Sequence, residues 1–214
     1  MKDRTKKPEK MWHVQLTVLA VIVLQLLLGN TYSVGPKYSL AALELLLLVG
    51  LSITTRRPSQ RSLNLRRFFS LGLIACITVL NIASLLLLLD NLLNGSIHEG
   101  HTLLLSAGSI YITNIILFGL WYWELDGGGP DKRLTEKSNH DFLFVQQNLN
   151  DPVDKNWQPL FFDYLYTSST NATAFSPTDT MPLTHRAKAF MLVQSLISLL
   201  AVGLVIARAV NILR

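Results

Sequence analysis

Residues 157–214 constrain this chain most. They read WQPLFFDYLYTSSTNATAFSPTDTMPLTHRAKAF and then continue into a long apolar stretch. An aromatic, amphipathic piece (160–170) leads to a polar, proline-interrupted run (171–184), a basic pair (Arg186, Lys188) and a final apolar segment. A half-length helix, an irregular return and a full-length helix, in that order, predict a re-entrant loop. Non-helical backbone persists at membrane depth only where protein or a water-filled cavity satisfies its polar groups. At that depth the loop would conduct or bind something; outside it, the run is an ordinary connection between helices.

Half of the 214 residues are hydrophobic, and the charges sit in a few blocks. A spanning helix needs roughly 20 apolar residues. Five segments qualify or come close: 12–29, 38–54, 68–93, 102–123 and 187–211. The second is the shortest and carries Glu44, but LELLLLVGL is too apolar for a soluble loop. The expected fold class is an all-α integral membrane protein of five transmembrane helices, with a re-entrant pore helix and loop before the last. Residues 1–123 would form a four-helix membrane region, 124–156 a polar extramembrane segment, and 157–214 the pore helix, filter-like loop and inner helix. The basic start MKDRTKKPEK resembles a signal peptide, but the run 12–29 is long for one and no A-x-A site follows it. It reads as the first span. The lone Cys76 excludes an intrachain disulfide. The net charge of +5 comes from residues beside the spans, where topology explains them, so no nucleic-acid partner is expected.

Lys and Arg mark short cytoplasmic loops. The N-terminal tail carries Lys2, Arg4, Lys6, Lys7 and Lys10, and the second connection carries Arg56, Arg57, Arg61, Arg66 and Arg67. The first connection has only Lys37, and the third, NLLNGSIHEGH, has none. Both rich blocks therefore fall on one side, which places the N-terminus and the 124–186 segment in the cytoplasm. Arg208 and Arg214 argue the other way with less weight.

The fourth span ends in an aromatic belt, Trp121-Tyr122-Trp123, and Gly127-Gly128-Gly129-Pro130 stops it. That glycine run lacks the Lys-Ser/Thr of a phosphate loop, and no nucleophile–base pair is visible, so no enzymatic activity and no cofactor are expected. His98, Glu99 and His101 share a loop but lack a further ligand, and no metal site is expected. Among polar residues in the spans, Glu44 reads as a structural pair, Asn81 and Asn114 as interhelical hydrogen bonds, and Asp90 as reaching water.

The polar run is the candidate site. Thr170, Asn171, Thr173, Phe175, Ser176, Thr178 and Asp179 would form a filter-like loop, since small hydroxyls and an amide offer oxygens to a dehydrating ion. Asp163 and Tyr166 would belong to the pore helix, and Gly203 would be an inner-helix bend; close helix packing is the alternative for Gly203. A low-complexity polar loop is the alternative for the whole run.

LWYWELDGGGP, FFDYLYTSSTNATAFSPTDTMPLT and the closing IARAVNIL resemble recurring blocks of a family of bacterial multi-span inner-membrane proteins whose function is unknown. That resemblance covers roughly the second half of the chain and implies a fold, not an activity. A more distant similarity is to the potassium-channel pore module. Thr173-Ala174-Phe175-Ser176-Pro177-Thr178-Asp179, then Pro182, Thr184 and Arg186, follow its spacing. Asp179, Pro182 and Thr184 fit. Ser176 and Thr178 stand where the filter glycines would be, and Pro177 locks its own φ. The resemblance implies a pore-loop architecture without strong potassium selectivity.

Two functions follow. One is a cyclic homo-oligomer, a tetramer first, that conducts small inorganic ions, with cations favoured and little discrimination, through the 171–179 loop and the last helix. The other is a non-conducting membrane scaffold or accessory subunit. A membrane enzyme ranks third.

Overall fold

The computed structural model describes residues 60–94, 100–135, 140–148, 157–173 and 180–212, with short helical stretches at 15–16, 18–19, 22–23, 42–43, 45–46 and 49–50. The described residues are mostly helical. Three helices dominate: α1 (Gln60–Leu93), α2 (Gly100–Leu125) and, last in the chain, α6 (His185–Ile212). Along them Arg67–Leu93, Leu103–Gly128 (α2 with the turn that follows it) and His185–Ala207 are long and apolar enough to cross a membrane. The expected spans 12–29 and 38–54 lie largely outside the described residues, although Val18 and Ile22 are buried in the common core.

α1 and α2 pack through Ile74, Ile77, Leu85, Leu88, Leu103 and Ala107, all but inaccessible. Polar pegs tie the interface: the Asn81 amide donates to the Ile110 carbonyl at 3.3 Å, and the Trp121 indole to the Thr78 hydroxyl at 3.0 Å. The end of α2 follows from its glycines. Asp126–Gly128 make one 3₁₀ turn, and Gly127, Gly128 and Gly129 take φ of 58°, 84° and 103°, a region only glycine enters at low cost. Pro130 then opens the short α3 (Pro130–Thr135), where a missing N–H costs nothing.

The segment after α2 is expected from its sequence as a polar extramembrane piece, either an ordered cap over the bundle or a mobile tether. Its described part is an ordered cap on the end of the bundle. Strand β1 (Phe142–Phe144) pairs antiparallel with β2 (Thr180–Pro182), matching Phe142 to Pro182 and Phe144 to Thr180. Alternation along a strand sends Phe142 and Phe144 to the same side. There the Phe142 ring meets Tyr122 at a tilt, with centres 5.0 Å apart, and the Phe144 ring meets Tyr164 edge-on, with centres 5.2 Å apart. A one-turn helix, α4 (Val145–Asn148), follows. The expected all-α layout thus gains a two-stranded ladder.

Helix α5 (Phe161–Ala172) completes the bundle. It runs antiparallel to α2: Phe161 meets Trp123 with ring centres 6.0 Å apart, Leu165 lies over Gly119, and Ser168 bonds Ile115. From Trp123 to Ile115 is eight residues of α2, about 12 Å of helix axis. A Cβ on Gly119 would come within 3.2 Å of the Leu165 Cα, so the glycine is what permits this approach.

Candidate functional site

The site is built around α5. Leu160 cannot cap the helix with its side chain. The Asp163 carboxylate does so instead, accepting from the Leu160 N–H at 2.7 Å, where the positive end of the helix dipole favours it. The inward face repeats at helical spacing: Phe161, Tyr164, Thr167, Ser168 and Ala172 are buried. Its aromatic half lies under the cap, and its polar half lies at the deep end, beside α2 and α6. The outward face carries Phe162, 70% exposed, and Tyr166, 45% exposed.

At the deep end one amide organises the contacts. Gln194 of α6 is fully buried. Its Nε2 donates to the Ser168 carbonyl at 2.9 Å and the Ser168 hydroxyl at 2.6 Å. Its Oε1 accepts from the Tyr122 hydroxyl at 2.5 Å and from Asn171 Nδ2 at 2.8 Å. Asn171 Nδ2 also reaches the Met191 carbonyl at 2.9 Å, and Asn114 of α2 donates to the Ser198 hydroxyl at 2.9 Å. Three helices are therefore joined by side-chain bonds within the apolar bundle.

A second constellation lies at the cap end. Asp126 has no solvent exposure. One carboxylate oxygen accepts from the Asp141 and Phe142 N–H groups at 2.6 and 3.2 Å; the other accepts from the Tyr164 hydroxyl at 2.6 Å and lies 3.5 Å from His140 Nδ1. Arg133 donates to the Trp123 and Asp126 carbonyls and lies over the Tyr164 ring at 5.0 Å. Burial, the largest cause, holds the Tyr164 phenol well above its usual range, with Arg133 pulling the other way, so at neutral pH it stays protonated and donates. Asp141 is likewise buried. It accepts from the Thr184 hydroxyl and from Arg186 at 2.9 Å, and Thr184 in turn caps α6 by accepting the Ala187 N–H at 3.2 Å. Glu124, buried at the same end, accepts from Ser70 at 3.0 Å, and Arg67 of α1 reaches its carbonyl at 3.4 Å. The cap and the arginine-rich start of α1 therefore share one end of the bundle.

The expected site residues divide as follows. Thr170 and Asn171 are helical rather than loop, because α5 continues to Ala172; Thr173 forms the turn after it. The Thr170 hydroxyl bonds back to the Tyr166 and Thr167 carbonyls at 3.0 Å, and that of Thr173 to the Ser169 carbonyl at 2.9 Å. These protons are used within the helix, which is how hydroxyls are accommodated mid-helix. Phe175, Ser176, Thr178 and Asp179 lie outside the described residues, as do Glu44, His98 and Glu99. α6 runs through Gly203 unbroken, and among the described residues a Cβ there would meet nothing within 4 Å. Asn81 and Asn114 bond across helices as expected, and Asp90 is exposed, accepting from Asn94 at 3.1 Å. Among the described residues no three His, Cys, Asp or Glu side chains group as a metal site.

Sequence reasoning missed Gln194, Tyr122, Asp126 and Asp141. The available signal was a glutamine in mid-span and a pair of acids flanking a glycine turn and an aromatic strand. No family model, curated protein or solved structure matches the chain.

Proposed function

We propose that this chain is a subunit of an ion-conducting membrane protein, in which the deep end of α5, the 171–179 segment and α6 line a path shared by several copies. The observation that carries this reading is the half-length helix held inside the bundle. Twelve residues of α5 make about 18 Å, against roughly 30 Å of hydrocarbon. Such a helix cannot cross, yet it lies between two helices long enough to do so, with its polar groups at its inner end. Polar groups at membrane depth are expensive and mark pathways. A cyclic homo-oligomer, fourfold first, supplies the shared axis. Cations are favoured through Asp179, and without a glycine-built carbonyl stack the discrimination between potassium and sodium is weak. The arginine-rich 55–67 block supports a cytoplasmic side for the cap and the mouth of α5, in a bacterial inner membrane. The test is reconstitution in liposomes, with reversal potentials in asymmetric potassium and sodium salts for the parent chain, Thr173→Ala and Asp179→Asn. A flux altered by either substitution supports the reading, and no flux for any ion rejects it.

A second reading has its own support. The polar side chains on the inner face of α5 find partners within one chain, so no neighbour is needed to satisfy them. A non-conducting scaffold or accessory subunit would look the same. Oligomeric state separates the two: a single copy by mass measurement in native-like lipid leaves only the scaffold.

A further inference from the structure

We infer that the edge of the cap formed by Arg67 and Lys132 binds the phosphate of an anionic phospholipid, with the exposed Phe68 and Phe69 rings against its acyl chains. This inference rests on the membrane-spanning reading and not on conduction. The depth of the edge comes from the helices. The apolar lengths Arg67–Leu93, Leu103–Gly128 and His185–Ala207 hold 27, 26 and 23 residues. At about 1.5 Å per residue they measure roughly 35–40 Å, more than the ~30 Å of hydrocarbon and less than the ~40–45 Å that includes the headgroups. Their ends therefore lie among the headgroups. Arg67 and Gly128 are two such ends, and the contact of Arg67 with Glu124 puts both at the cap.

Charge is sorted by depth at this end. The side chains of Glu124, Asp126 and Asp141 are buried, and that of Asp163, half-buried, is spent on the start of α5. Of the cations, Lys132, Arg186 and Lys188 are exposed, and Arg67 and Arg133 are half-buried. The outer layer is thus positive around a buried acidic one. Arg133 is committed to the Trp123 and Asp126 carbonyls, and Arg186 to Asp141. Arg67 is less so. Among the described residues its guanidinium makes a single hydrogen bond, at 3.4 Å to the Glu124 carbonyl, and its Nε–H is buried without an acceptor. A buried donor left in this way is rare. A phosphate supplies what is missing, because a guanidinium takes an oxyanion through two parallel N–H bonds, and rotation about the side chain's own torsions turns that edge outward. Lys132 stands beside it. From the Cβ position of Gly128, Arg67 Nη1 is 3.7 Å away and Lys132 Cδ 3.0 Å. Glu124 Oε2 lies 3.7 Å from the same point on Gly129, so the three groups together leave one positive charge. Phe68 and Phe69 follow Arg67 on α1, 73% and 59% exposed. Apolar rings next to a cation on the hydrocarbon side suit a phospholipid, whose chains they meet while its phosphate meets the cation. A free phosphate has no use for them.

The test uses the full chain, purified in detergent, stripped of lipid and titrated with phosphatidylglycerol, phosphatidylcholine or inorganic phosphate. Bound lipid per chain is read by native mass measurement. The variants are Lys132→Gln, Arg67→Gln/Lys132→Gln and Lys188→Gln, the last removing an exposed charge at the same end but on α6. A cation at a membrane surface is worth about fivefold in binding to anionic lipid. The parent should therefore prefer phosphatidylglycerol over phosphatidylcholine by about tenfold, Lys132→Gln should lower that preference about fivefold and the double variant should abolish it, while Lys188→Gln leaves it within about twofold. Thermal unfolding without lipid checks folding, and Lys132, being exposed, keeps the test decisive if the double variant does not fold. Equal affinity of the parent for the two lipids, an unchanged preference in Lys132→Gln, an equal loss in Lys188→Gln, or displacement of phosphatidylglycerol by inorganic phosphate overturns the inference. If the chain washes off phosphatidylcholine vesicles at alkaline pH, the membrane-spanning reading falls and this inference with it; a chain that stays with the vesicles but shows no lipid preference sinks this inference alone.

Discussion

The hydroxyl of Ser168 donates to the backbone carbonyl of Ile115 at 2.5 Å, which fixes how far α5 reaches along α2. That carbonyl belongs to a helix interior and is already turned toward its own ladder. A second donor at it requires the two helices to approach closely, and Gly119, one turn toward the cap, allows this.

Gly119 should therefore tolerate little. A Cβ placed 3.2 Å from the Leu165 Cα asks backbone to move by tenths of an ångström, and Gly119→Val asks for more than Gly119→Ala. Overpacking of this kind costs about 1–3 kcal/mol. Thermal unfolding in detergent should fall in the order parent, Ala, Val; equal values for all three would mean that α5 does not rest on α2 here.

The Asp126 carboxylate joins α2 to both β1 and α5. Asp126→Ala leaves two N–H groups and a phenol without their acceptor, at about 1–3 kcal/mol for each buried group stranded. Tyr164→Phe removes one donor while the two N–H bonds remain, and should cost about 1 kcal/mol. Limited proteolysis of the 140–148 region, read with thermal unfolding, should rank the alanine variant well below the phenylalanine one. Reversed ranking would mean that the cap is held by packing alone.

Asp141 and Arg186 form an unequal pair, with 4% and 64% of their side chains exposed. Arg186→Ala removes a screened, solvent-facing partner and should cost within about 1 kcal/mol. Asp141→Ala also strands the Thr184 hydroxyl that caps α6, so it should cost more. A double-mutant cycle at low and high salt checks this; the coupling should shrink as salt rises, and a coupling that grows would contradict it.

Contact of Arg67 with the Glu124 carbonyl puts the start of α1 and the cap at one end. Cysteines introduced at Ser59 and Lys132, in a Cys76→Ala background, should therefore share one accessibility, blocked in intact cells and labelled after permeabilisation if that end is cytoplasmic. Labelling of one without the other in intact cells would be incompatible with the bundle described above.

The three long helices and the glycine stop at Gly127–Gly129 were legible in the sequence, because each is a local property; the aromatic belt expected at Trp121–Trp123 was not, since Tyr122 and Trp123 are buried inside the bundle. An apolar run of sufficient length has no use for water, and three consecutive glycines end a helix wherever they stand. The half-length helix before the last span was legible for the same reason, from its aromatic, amphipathic spacing, although its true end at Ala172 was not. Ser, Thr and Asn are poor helix formers, and what keeps Thr170 and Asn171 helical is their partners on α6 and on the preceding turn. The role of Gln194 and the burial of Asp126 and Asp141 belong to the tertiary structure alone. Tyr122 and Gln194 are 72 positions apart, and Asp141 and Arg186 are 45 apart. No periodicity links such pairs. A polar residue in an apolar helix, or an acid beside a glycine turn, reads as an isolated cost until folding brings its donors within about 3 Å. That meeting exists only once α2, α5, α6 and the β1–β2 ladder are packed together.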